Sequence, residues 1–249
     1  MPATDGFCDD CFSAVGHEGS PTGKYEEIGG WNSYTATPEG DFPADKVVIF
    51  LPDVFGLALQ NNPLIIDGFA RNGLRCVCPD IFEGDARPVD ADPATFDREA
   101  WHKKHNFEHT GGIARDVIQA LKAQGVTRFG LTGYCYGARL VFDLAFEDIG
   151  QVAVVTHPSA LDFADLDRYA AESKAPLLIN SCEKDPPFPA EKQAKADEVL
   201  KDFAPGYKRA YFAGVTHGFA VKGDISDPMV KAAKEDAFKN AVDWFKKYL

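Results

Sequence analysis

The chemistry of this chain starts at one of its six cysteines. The run Phe129-Gly130-Leu131-Thr132-Gly133-Tyr134-Cys135-Tyr136-Gly137 is an apolar strand that ends in G-x-C-x-G and opens directly into a helical pattern. A tight strand-to-helix turn of this type is a nucleophile elbow, here with sulfur where serine is usual. The nucleophile sits in a strained backbone conformation, and side chains two residues to either side would clash, which accounts for both glycines. The turn also leaves Cys135 at a helix N-terminus, where the dipole and free N–H groups favour a thiolate. A packed turn with a buried thiol is the plainer reading. It leaves the strand before and the helix after unexplained.

A thiol nucleophile needs a base, an acid to orient it and two donors for an oxyanion. Of the six histidines, His217 in Gly214-Val215-Thr216-His217-Gly218-Phe219 follows a strand-like run and precedes the last helical segment. That matches the chain order nucleophile, acid, histidine. Asp185 trails another strand by a short loop and would fix the imidazole tautomer, with Glu183 as its rival in the same loop. Cys182 reads there as a bystander. The oxyanion donors would be the backbone N–H of Tyr136, after the nucleophile, and that of Val54 in Pro52-Asp53-Val54-Phe55-Gly56. Asp53 either tunes the thiol or is a plain turn aspartate. His102, His105 and His109 have the spacing of one helical face, but among Lys103, Lys104 and Glu108 they read as a solvated lid helix rather than a metal pair. His157 reads as packing near the site. Cys8 and Cys11 form a C-x-x-C with only His17 nearby, too few ligands for zinc, and Cys76 and Cys78 alternate within an apolar strand as buried thiols.

These groups converge only if the intervening chain builds a sheet. Residues 31–37, 46–51, 74–78, 128–132, 152–156, 176–180 and 207–212 read as strands, and about 63–72, 113–123, 137–146, 190–203 and 227–248 as helices. The alternation predicts an α/β fold: one mostly parallel sheet with helices on both faces, in a single domain over residues 1–249. Residues 1–24 read as a polar leader on the surface, and 83–108, rich in Pro, Asp and aromatic residues, as a lid after a strand end. The formal net charge of −12 argues against nucleic acid and anionic membranes as partners. No apolar run approaches the roughly 18 residues of a membrane span. Residues 1–10 lack the basic start and apolar stretch of a secretory signal, so a cytoplasmic location is expected.

With Gly133-Tyr134-Cys135-Tyr136-Gly137, Pro52-Asp53-Val54-Phe55-Gly56, Pro79-Asp80-Ile81-Phe82 and His217-Gly218-Phe219 in view, the chain resembles the dienelactone hydrolase family from end to end. Its leader, ending in His17-Glu18-Gly19-Ser20-Pro21-Thr22-Gly23, is similar to that of the eukaryotic branch. The resemblance implies the α/β-hydrolase fold, a triad of Cys135, Asp185 and His217, no cofactor, and hydrolysis of an enol lactone or activated ester through a thioester. Three positions depart from the bacterial members. Asp53 stands where they carry a glutamate that touches the nucleophile. Val221 and Gly84 stand where they carry two arginines that grip the substrate carboxylate, with Arg87 three residues beyond Gly84.

The resulting expectation is a cysteine hydrolase of small esters or lactones, monomeric or homodimeric. The alternatives are a non-catalytic binding or regulatory member of the fold, or a thioesterase. Phe55, Phe82, Trp101, Tyr134, Tyr136 and Phe219 are expected to line an apolar pocket. Anionic substrates are expected to fare worse than neutral ones unless Arg87, Arg139 or Lys222 reaches inward. No metal is called for.

Overall fold

The computed structural model of the protein describes His17, residues 19–92 and residues 94–249; Cys8 and Cys11 lie outside the described residues. Runs such as KVVIFL and VAVVT, short and β-branched, are buried on both faces, as strands in the middle of a parallel sheet must be. Eight strands are described: β1 (Lys24–Ile28), β2 (Trp31–Ala36), β3 (Lys46–Leu51), β4 (Cys76–Pro79), β5 (Arg128–Tyr134), β6 (Val152–Thr156), β7 (Leu177–Lys184) and β8 (Tyr207–Thr216). They lie in the order β1-β2-β4-β3-β5-β6-β7-β8. β2 runs antiparallel to β1 and to β4, and every other neighbouring pair is parallel. This is the α/β class expected.

The helices are α1 (Asn61–Arg71), α2 (Arg98–Lys104), α3 (Phe107–Ala123), α4 (Tyr136–Phe146), α5 (Phe163–Glu172), α6 (Ala190–Leu200) and α7 (Pro228–Tyr248). α1 and α7 pack on each other through Phe69, whose ring lies 5.0 Å from Phe238 and 5.9 Å from Phe245. Among the described residues no helix is long and apolar enough to cross a membrane.

The chain enters from β3 to β4 on one side and returns through β5 on the other, so the order reverses between β3 and β5. Crevices at such switch points, beyond the carboxyl ends of the strands, are where open α/β sheets bind ligands. The elbow stands there. Cys135 has φ +49° and ψ −110°, a left-handed conformation that costs a non-glycine residue about 1–3 kcal/mol. Its flanking glycines are required by contact. A Cβ on Gly133 would lie 2.5 Å from the Gly137 carbonyl oxygen, and one on Gly137 would lie 2.0 Å from the Leu51 carbonyl oxygen.

Several elements differ from the sequence expectation. β7 and β8 run to Lys184 and Thr216, past the apolar stretches that mark their starts, because their parallel pairing continues across a bulge between Cys182 and Lys184. β1 and α5 have weak patterns: only Ile28 of β1 and only Leu166 and Tyr169 of α5 are buried. The leader was expected on the surface, but His17 is buried. Its N–H donates to Asn61 Oδ1 (2.7 Å), and its carbonyl accepts from Gln60 Nε2 (2.6 Å).

The solvated helix expected around His102, His105 and His109 is also corrected. α2 stops at Lys104, and Asn106 caps a new helix by accepting from His109 N–H (3.0 Å), so the three histidines do not share one helical face. His105 between them is fully buried and bonded through Nε2 to Asp85 Oδ2 (2.8 Å). Trp101 beside it donates to the Asp85 carbonyl (2.9 Å). Both bonds are internal to residues 83–108, which are held on the domain by Trp101 packing on Phe82 and Tyr136 and by the Tyr136 hydroxyl donating to the His105 carbonyl.

Replacing Gly137 by alanine should drive a methyl group into the Leu51 backbone, which cannot rotate away. The expected loss is about 3 kcal/mol or more of stability in denaturant unfolding. An alanine variant within 0.5 kcal/mol of the parent would show that the close approach is not obligatory.

Candidate active site

Each group at the elbow is delivered by the carboxyl end of a different strand. β5 gives Cys135, β3 the loop Pro52–Phe55, β6 the turn His157–Ser159, β7 Asp185 and β8 His217. Asp185 and His217 meet because of strand register. Lys184 pairs with Thr216, so the next residue of each strand, Asp185 and His217, leaves the ladder side by side, with His217 N–H donating to the Lys184 carbonyl (2.9 Å). His217 Nδ1 lies 2.8 Å from Asp185 Oδ1, and both side chains are fully buried. A carboxylate at Nδ1 holds the proton there and leaves the lone pair of the neutral ring on Nε2. Asp185 is fixed in turn: Oδ1 accepts from Phe188 N–H (3.2 Å) and Oδ2 from Cys182 Sγ (3.5 Å).

Cys135 and His217 line one small cavity together with Asp53, Val54, Phe55, Gly218 and Lys222, with about 180 Å³ of empty space including its mouth. Val54 is therefore beside the thiol, as an oxyanion donor must be. Tyr136 is the first residue of α4, where N–H groups have no intrahelical acceptor. Val54 is pinned from behind, its carbonyl accepting from Arg87 N–H (2.9 Å). Asp53 is held by Asn62 Nδ2 (3.0 Å) and by Phe55 N–H (3.2 Å), both donating to Oδ1.

Other residues singled out in the sequence lie elsewhere. Glu183 turns toward β8 and accepts from Gly214 N–H (2.7 Å), while the histidine is bonded to Asp185. Of the expected aromatic lining only Phe55 reaches the cavity. Phe82, Trp101 and Tyr136 pack on one another with ring centroids 5.0 to 6.2 Å apart, and the Tyr136 hydroxyl donates to the His105 carbonyl (2.6 Å). Tyr134 stacks on Phe50 at 5.0 Å, and Phe219 packs against Phe212 and His157. These side chains are core, because the segment 83–108 and the elbow are built from the same aromatic cluster. The three candidate cations separate cleanly. Arg87 is fully buried, its guanidinium over the rings of Phe55 and Phe96 at 5.3 and 5.4 Å. Arg139 is paired with Asp143 and with Asp165, the latter at 2.7 Å. Lys222 alone lines the cavity, its stem lying over Gly218, where a Cβ would be 2.3 Å from Lys222 Cε.

Two contacts of Ser159 were not anticipated. Ser159 Oγ lies 3.5 Å from Cys135 Sγ, and Ser159 N–H donates to the Cys135 carbonyl (3.2 Å). The available signal was position: Ser159 follows β6, the strand next to the elbow strand. His157, at φ +39° and fully buried, sets its ring edge-on to His217 at 5.0 Å, so it packs against the base.

The sequence profile of the dienelactone hydrolase family matches residues 31–249. The chain belongs to that family. Among curated relatives it is 34% identical over 240 residues to the hydrolase pyvD of Aspergillus violaceofuscus, covering 96% of each chain. It is 32% identical over 243 residues to dienlactone hydrolase 1 of Gibberella moniliformis, covering 94% of this chain and 91% of the relative. The fold is that of the crystal structure of a dienelactone hydrolase from Anabaena variabilis, with a TM-score of 0.66 at 14% identity over 94% of this chain and all of the other. The protein is thus an α/β-hydrolase of an ester- and lactone-hydrolysing family. The family match begins at β2, and the curated similarity extends over nearly the whole chain.

A hydroxyl beside a thiolate must donate to it, so Ser159→Ala should move the pH profile of Cys135 alkylation to higher pH, with Ser159→Thr restoring it. Peptide mapping after iodoacetamide, run as a function of pH, reads this directly. Cys76 and Cys78 compete poorly for the reagent, because burial pushes both thiols well above the ordinary range. Identical profiles for the alanine variant and the parent would remove Ser159 from the site.

Proposed function

We propose that the protein is a cysteine-nucleophile hydrolase of small esters or lactones that works through a thioester. The supporting observation is the convergence of strained Cys135 and Asp185-bound His217 on one small cavity beside Val54. In this reading His217 Nε2 takes the thiol proton as sulfur attacks the carbonyl carbon, and the N–H groups of Val54 and Tyr136 receive the developing oxyanion. Collapse breaks the C–O bond, and the imidazolium returns its proton to the leaving alkoxide. Water, deprotonated by the same Nε2, then attacks the thioester, releasing the carboxylic acid and the free thiol. In a lactone the leaving alcohol stays tethered to the acyl group, so one product is released instead of two.

A panel of p-nitrophenyl esters and simple lactones tests this. Cys135→Ala should lose about 10⁴-fold or more in kcat, as removal of a covalent nucleophile does. Turnover by the alanine variant equal to the parent's would overturn the reading. His217→Ala and Asp185→Asn should each be severely impaired, and the double variant little worse than His217→Ala alone, because the two groups act as a unit. Additive losses would mean that Asp185 does not act through His217.

The cavity wall carries the Lys222 ammonium as well as the Asp53 carboxylate, so the net charge of the chain does not decide the charge of the substrate. Lys222→Met should lower kcat/KM for a carboxylated lactone about tenfold more than for p-nitrophenyl acetate, about 1.4 kcal/mol of transition-state binding. Equal losses on both would assign Lys222 a role in shaping the cavity only.

A further inference from the structure

A second cavity lies between α1 and α7, holds about 810 Å³ of empty space including its mouth, and shares no lining residue with the catalytic one. Its walls are largely apolar, with Leu64 and Ile65 from α1, Phe238 from α7, and Tyr134 and Ala220, and the charged side chains of Arg71 and Glu235 also line it. Into it projects Lys234 of α7. The hydrogen bonding there is uneven. His17 Nε2 lies 2.8 Å from the Gly223 carbonyl, so that nitrogen carries the proton, and the neutral ring presents its Nδ1 lone pair to Lys234 Nζ at 2.8 Å. Burial, followed by the neighbouring Lys234 charge, holds the His17 imidazole below its ordinary range and so keeps it neutral.

An ammonium has three N–H donors, and among the described residues this one has a single, uncharged acceptor. Glu235 lines the same cavity without forming an ion pair with Lys234 among the described residues. Burial alone brings Lys234 down to about 8. A cation in apolar surroundings with no counter-charge among the described residues is costly, and a largely apolar pocket presenting Lys234 and Arg71 against the single carboxylate of Glu235 is complementary to a ligand with an apolar body and an anionic head.

We propose that this cavity is a second binding site for a small apolar carboxylate, of the medium-chain alkanoate class, with Lys234 receiving the carboxylate and the α1–α7 walls the chain. Two lining residues give the site a route to the elbow. Tyr134 immediately precedes Cys135, and Ala220 belongs to the loop that carries His217 and Lys222.

The test is calorimetric titration of the full-length protein with octanoate and with 1-octanol, after iodoacetamide has blocked Cys135 and so filled the catalytic cavity. One octanoate should bind per chain, at least tenfold more tightly than octanol, and Lys234→Met should weaken it tenfold or more. The parent protein supplies an independent readout should that variant fail to fold. The groups facing Lys234 are His17, Arg71 of α1, Glu235 of α7 and Tyr134 of β5, with Asp224 acting on His17. Carboxylates, arginine and a neutral imidazole keep their charge between pH 7 and 9.5, and burial pushes the Tyr134 phenol above that window. Loss of the Lys234 proton through pH 8 should therefore weaken octanoate at least tenfold across the window and leave octanol unchanged. No saturable binding, equal affinity for octanol, or octanoate affinity indifferent to both pH and Lys234→Met would each overturn the proposal.

Discussion

A backbone contact with no room for a methyl group, Gly137 against the Leu51 carbonyl, governs where Cys135 can stand. It lets α4 start directly over the paired ends of β3 and β5, where Leu51 is in register with Gly133. The loop leaving β3 then passes beside Cys135, which puts Val54 within the same small cavity. The left-handed backbone of Cys135 is the counterpart of this closeness. A strained residue persists only where its surroundings over-determine it, and here one side is a central parallel sheet and the other a helix whose inner face, Leu140, Val141 and Leu144, is buried.

The second half of the site depends on a different device. Asp185 and His217 lie 32 residues apart in the chain, and neither loop contains anything that would bring one to the other. Their meeting follows from strand pairing that runs one step short of both residues. The dyad is then wrapped: His157 against the ring, Phe188 N–H and Cys182 Sγ on the carboxylate. An imidazole whose position is fixed by backbone register is pre-organised without depending on flexible side chains.

How much of this could be read from residues alone varies with the physics involved. The elbow was legible because its constraint is steric and local: two glycines at fixed offsets, an apolar strand before and a helix after. The parallel core was legible from its β-branched runs. The dyad was legible only in outline, through chain order, since the polar ends of β7 and β8, Ser181 to Lys184 and Ala213 to Thr216, carry no strand pattern and owe their pairing to the sheet. Ser159 carried no motif of its own. The aromatic pocket was misread for a related reason. Phe82, Trp101 and Tyr136 have the composition of a binding site, but they are consumed in fastening the 83–108 segment, and whether a ring faces a cavity or another ring is decided by tertiary packing. Arg87 illustrates the same limit, a full charge stacked on Phe55 inside the domain.

The position of β8 at the sheet edge also orders events in time. Synthesis delivers the N-terminal strands first and β8 last of the described strands. A chain that has assembled β3, β5 and β6 already holds Cys135 in its bent turn. It has no His217 imidazole beside the sulfur until β8 docks along β7. Cys135 therefore stands without His217 in every partly folded form that lacks the edge strand, and the pair comes into being only with the finished sheet.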